Sequence, residues 1–112
     1  MKAQTQRENG EMTVTVSGEI NTVTTPQLAL LVEDLTGVKK LVFDLSQVRY
    51  VSSAGLRLFL NCQRLMTAAR GEMRIKGCSE FVMETFESVG YNRIMKLEQE
   101  SGTNGKNAGE KQ

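Results

Sequence analysis

Ser52 and Ser53 are adjacent hydroxyls followed by Ala54 and Gly55, within "YVSSAGL". A serine does covalent chemistry of its own when a base stands beside it. The sequence contains no histidine, which removes the commonest general base, the commonest metal ligand and any Ser–His or Cys–His pair. No paired-carboxylate motif replaces it. The two serines therefore read first as helix caps, since serine is among the preferred N-cap residues. Neither completes a capping box, because Gly55 and Leu56 stand where Glu or Gln would be needed. A cap also leaves Gly55 unexplained, as glycine inside a helix costs up to about 1 kcal/mol relative to alanine. Four small side chains at a helix start form a flat ledge with outward N–H groups and a positive dipole end, on which a protein or a phosphate can sit.

Other chemistry-bearing residues are sparse. Cys62 and Cys78 form no C-x-x-C pair and fall at apolar positions, so they read as buried free thiols. Asp44 ends an apolar stretch, but the early strands offer no acidic pair to hold magnesium beside it. It reads instead as a hydrogen-bond acceptor for turn backbone. Between residues 49 and 76, Arg49, Arg57, Arg64, Arg70, Arg74 and Lys76 face Glu72 alone. That excess reads as a solvated helix face, with a patch for an acidic partner as the alternative. Without aromatic interleaving or a glycine-rich phosphate loop, and with a formal net charge of +1, nothing points to nucleic acid.

The elements that must position these residues follow from patterning. "MTVTVSG" alternates as a half-buried strand over 12–18, and Asn9-Gly10 predicts a hairpin to a polar partner strand over 2–8. Thr25 and Pro26 predict the cap and first position of a helix whose apolar side, Leu28, Leu30, Leu31 and Leu35, runs towards Gly37. "KKLVFDLS" predicts a strand over 39–46, buried on both faces at its centre. The longest helix runs from Ser53 to Arg70, with a core stripe of Leu58, Cys62, Leu65, Met66 and Ala69. Its opposite stripe is Arg57, Asn61, Arg64 and Ala68. A strand over 72–77, a helix over 79–90 capped by Ser79 with Phe81, Val82, Met83 and Phe86 as its apolar positions, and a last strand over 94–98 complete the pattern. The fold class is α/β: a mixed sheet, an N-terminal hairpin followed by strand–helix units, with helices mainly on one face. The chain of 112 residues suits one domain over 1–98. "QESGTNGKNAGEKQ", residues 99–112, reads as a disordered polar tail. No apolar run approaches the roughly 18 residues of a membrane span and no hydrophobic signal core opens the chain, so the expected location is the cytoplasm.

"DLSQVRYVSSAGLRLFL" resembles the signature of the STAS family, specifically its single-domain anti-anti-sigma factors, or anti-sigma factor antagonists. "VSGEINTVTTPQL" and "GEMRIKGCSEFVMETFESVGYNRIMKLE" are similar to further parts of that family, so the resemblance spans residues 5–98. It implies a switch protein and not an enzyme, with no cofactor. The unphosphorylated form binds an anti-sigma factor that is a serine kinase and releases the sigma factor. Phosphorylation reverses this, and a serine phosphatase restores it. The residue aligned with the phosphoacceptor is Ser53, with Ser52 as the alternative. The implied partner surface comprises Ser52, Ala54, Gly55, Arg57 and Asn61 with Asn21, Thr22 and Thr25 of the preceding loop. Ser52 and Asn21 stand where the family usually carries aspartates, which removes negative charge near the site but keeps the acceptor hydroxyl. The alternative function is an adaptor or structural STAS subunit of a transport or stress-signalling assembly, in which Ser53 is only a cap.

Overall fold

The computed structural model describes residues 1–100. Five strands, β1 (Lys2–Glu8), β2 (Glu11–Ile20), β3 (Lys40–Val51), β4 (Glu72–Cys78) and β5 (Lys96–Gln99), form one sheet in the order β1-β2-β3-β4-β5. The first pair is antiparallel and the others are parallel. Asn9 and Gly10 both take positive φ, 51° and 82°, as the tight turn between β1 and β2 demands. Three helices make the parallel crossovers: α1 (Thr25–Leu31), α2 (Ser53–Ala68) and α3 (Glu80–Ser88).

All three helices cover one face. Met12, Val14 and Val16 of β2 lie beside Leu41 and Phe43 of β3 and Met73 and Ile75 of β4, buried under Leu28, Phe59, Cys62, Met66, Val82 and Phe86. Ring contacts run through this layer, Phe43 to Phe59 at 4.9 Å, Phe59 to Phe86 at 5.6 Å and Phe86 to Tyr91 at 6.1 Å. The opposite face carries Thr13, Thr15, Val42, Asp44, Arg74 and Lys76, with Val42 buried outside the main core. On that face Arg74 pairs with Glu72 and Glu98, and Lys96 with Glu72. The Arg74 guanidinium and then the Lys96 ammonium hold the Glu72 carboxyl below the usual range.

Several elements depart from the sequence expectation. Strand β3 does not stop at Ser46 but continues to Val51 through irregular pairing with β2, and buries Val48 and Val51. There Asp44 Oδ1 accepts from the Ser46 N–H at 3.0 Å, inside the strand and not after it. Helix α1 is short. It ends at Leu31, and residues 34–36 form a turn in which Asp34 accepts from the Thr36 N–H and the Arg7 guanidinium donates to the Thr36 carbonyl at 2.7 Å. Leu30, expected on the apolar side, is 70% exposed.

The buried stripe of α2 is Gly55, Phe59, Cys62 and Met66; Leu58 is only half-buried, and Leu65 and Ala69 are exposed. In α3, Val82 and Phe86 face the core while Phe81 is 57% exposed. A single 3-10 turn, Tyr91–Arg93, intervenes before β5, which starts at Lys96 and not at Ile94. Backbone pairing also continues past the expected domain end at residue 98. Gln99 pairs with Cys78, and the Glu100 N–H donates to the Cys78 carbonyl at 2.7 Å, since backbone pairing needs no apolar side chain. The rest of the expected tail, residues 101–112, lies outside the described residues.

Candidate functional site

The β2 and β3 strands end side by side, Ile20 paired with Val51, so the loop after β2 and the start of α2 are neighbours. The Ser52 N–H donates to the Ile20 carbonyl at 2.8 Å and fixes where α2 begins. Ser52 has extended backbone, φ −84° and ψ 174°, and its Oγ accepts from the Gly55 N–H at 3.3 Å. It is the N-cap, and it is buried at 9% exposure. Ser53 is the first helical residue, and its side chain is exposed. The two adjacent hydroxyls have different surroundings.

Gly55 faces inward. A Cβ there would stand 2.7 Å from Ile20 Cγ2 and 3.0 Å from Val51 Cγ1. The bare backbone admits the protein's own strand ends, so Gly55 is not an outward ledge for a partner. The expectation of four small residues forming one flat surface is corrected accordingly. Ser52 and Gly55 are buried, Ala54 is half-buried, and only Ser53 of the four is exposed. Further along, Arg57, Asn61 and Arg64 are exposed on the outer side of α2, as expected.

The loop over 21–25 is built by its own hydroxyls and amide. Asn21 Oδ1 accepts from the Val23 and Thr24 N–H groups at 2.9 and 3.0 Å, a local turn that an aspartate would also support. Thr24 Oγ1 accepts from the Asn21 N–H at 2.8 Å and donates to the Glu19 carbonyl at 2.8 Å. Thr25 is not the α1 N-cap; that position is Thr24, and Thr25 Oγ1 donates to the Asn21 carbonyl at 2.6 Å. Asn21 and Thr25 are thus committed to shaping the loop. Thr22 and Val23 are exposed at its tip, Val23 at 76%. Sequence reasoning passed over Val23. The one signal it offered was a branched apolar residue among threonines in a segment too tight to bury it.

A second support comes from Tyr91, whose hydroxyl donates to the Leu56 carbonyl at 2.9 Å and ties the turn before β5 to the first turn of α2. Burial pushes its pKa up, and the positive charges of Arg64 and Arg57 oppose the rise. Cys62 and Cys78 are buried free thiols, and desolvation pushes them to about 11 and about 12. Neither is near thiolate form at neutral pH. Among the described residues no group of three or more His, Cys, Asp or Glu gathers as a metal site would require. No helix among them is long and apolar enough to cross a membrane.

The match of residues 2–104 to the model of the STAS domain decides the family. The chain belongs to the STAS domain family. This STAS chain is similar to the anti-sigma-B factor antagonist of Listeria monocytogenes, 29% identical over 106 residues, covering 92% of this chain and 93% of that protein. Its fold is similar to that of an anti-sigma factor antagonist from Mycobacterium paratuberculosis. There the TM-score is 0.77 at 23% identity, covering 87% of this chain and 84% of the other. It is also similar to the Bacillus cell fate determinant SpoIIAA in the phosphorylated form, TM-score 0.70 at 16% identity, covering 86% and 90%.

Proposed function

We propose that this STAS protein is an anti-sigma factor antagonist that binds an anti-sigma factor serine kinase when unmodified, and is switched off by phosphorylation of Ser53. The observation that carries the reading is the division of labour between the two serines. The Ser52 hydroxyl is buried and engaged in the cap, whereas the Ser53 hydroxyl stands free on the surface at the first helical position. The Listeria relative's name and the existence of SpoIIAA in a phosphorylated form support it.

In the transfer, Ser53 Oγ attacks the terminal phosphorus of the kinase's ATP. The O–P bond forms, the bond to ADP breaks, and a base of the kinase takes the hydroxyl proton. The chain contributes an accessible nucleophile and no catalytic group. Its partner surface is Ser53, Ala54, Arg57 and Asn61 of α2 with Thr22 and Val23 of the adjacent loop. Ser52, Asn21, Thr25 and Gly55 act from behind as positioning residues. A phosphate brings about −1.5 to −2 charges to this surface, and the α2 N-terminus favours it by about 0.3–1 kcal/mol in the free protein. At a partner interface the same group must lose its water, and each 1.4 kcal/mol is about tenfold in affinity. A serine phosphatase would return the binding form.

Phosphate mapping by mass spectrometry, after incubation with ATP and the anti-sigma kinase, tests the assignment. One phosphate on Ser53, retained in Ser52→Ala and absent from Ser53→Ala, is expected. Modification of Ser53→Ala but not of Ser52→Ala would overturn it.

A further inference from the structure

We propose that the outer edge of β1 is a self-association surface, on which a second copy of this chain adds its own β1 antiparallel to make a continuous ten-stranded sheet. This goes beyond the switch described above and uses a different part of the molecule. β1 is an edge strand of seven residues, and every one but Ala3 is exposed. Its register with β2 runs unbroken from Lys2 opposite Ser17 to Glu8 opposite Glu11. The strand carries neither a proline nor a bulge, two devices that commonly block an edge. The other edge, β5, has only four residues.

Charge and symmetry select the occupant and the register. A strand meets its own copy antiparallel across a two-fold axis perpendicular to the sheet, so paired residues share a face and the axis passes through a residue. With Thr5 on the axis, all seven residues pair: Lys2 with Glu8, Ala3 with Arg7, Gln4 with Gln6, each twice. Moving the axis to Gln4 or Gln6 leaves two residues unpaired and separates the opposite charges. Lys2 and Glu8 face the open side of the sheet, where Lys2 lies beside Ser17. Neither has an ion-pair partner among the described residues. Opposite charges placed directly across from one another stabilise a strand pair. Arg7 already reaches its own Thr36 carbonyl, and the facing Ala3 leaves it room.

Sedimentation equilibrium of the full chain at low salt, up to about millimolar concentration, reads the association. A concentration-dependent monomer–dimer equilibrium is expected for the parent. Glu8→Lys should weaken it at least about tenfold, and the doubly reversed Lys2→Glu/Glu8→Lys should restore it. Circular dichroism checks that these exposed substitutions leave the fold intact. As a second readout, Thr5→Cys should form an intermolecular disulfide on mild oxidation, because the axis brings this residue against itself at a separation a disulfide accepts. Gln6→Cys should crosslink far less, since it faces Gln4. A parent that stays monomeric throughout, a dimer indifferent to charge reversal, or equal crosslinking at both positions would overturn the proposal.

Discussion

Ser52, Ser53 and Gly55 are three small residues in three separate environments, and substitution distinguishes them. Ser52→Ala removes the cap acceptor for the Gly55 N–H and should cost about 1 kcal/mol. Ser53→Ala touches no buried contact and should stay within about 0.5 kcal/mol of the parent. Gly55→Ala gains helix propensity, about 1 kcal/mol, but drives a methyl against Ile20 and Val51, side chains branched at Cβ with little room to turn away. Overpacking of that kind costs about 1–3 kcal/mol, so the net outcome expected is between no change and a loss of about 2 kcal/mol. Urea unfolding of the three variants measures all of this; a stabilised Gly55→Ala would show that the strand ends yield. The sequence made Gly55 visible as an anomaly, because a glycine there works against the helix. It did not reveal which surface needs the space, since the ends of β2 and β3 meet Gly55 only through tertiary packing.

At the scale of elements, α2 matters most because one helix separates its tasks by face. Gly55, Phe59, Cys62 and Met66 are buried, and Ser53, Arg57, Asn61 and Arg64 are exposed. The polar side was legible because charges cannot be buried without partners. On the buried side Cys62 and Met66 were legible, but Leu58, Leu65 and Ala69 were not the residues that complete it. Leu58 and Leu65 outweighed Phe59 in a pattern that did not count Gly55 as a core position, although the true spacing depends on it. Helix α1 was overextended for a related reason: Leu35 supplies an apolar position, but the turn over 34–36 takes the backbone out of the helix. Arg57→Glu should leave stability within about 0.5 kcal/mol while slowing association with the kinase about tenfold at low salt, an effect that shrinks as salt rises. Stopped-flow association rates at two ionic strengths check it, and equal rates for parent and variant would place the contact elsewhere.

Across the whole molecule, the sheet of the described residues has one covered face; the hairpin, the strand–helix units and the one-sided helices were legible in the patterning, whereas the strand order came only with the structure. The two thiols give the core a pH signature. Both have folded pKa values raised above the ordinary 9.0, to about 11 and about 12, by desolvation. Their contribution to stability is therefore fully present below pH 9.0 and lost as pH rises through those folded values. The unfolding midpoint should fall in that alkaline window, and near neutral pH a thiol reagent should react only after denaturant is added. Rapid labelling of the native protein would contradict the buried placement. The most direct test of the switch is a calorimetric titration of the kinase with the unmodified protein and with the same protein fully phosphorylated on Ser53. The expected result is a Kd raised about a hundredfold or more by phosphate, with the thermal unfolding midpoint of the free protein unchanged or slightly higher. An unchanged Kd, or a loss of binding that accompanies unfolding of the free protein, would contradict a surface switch at Ser53.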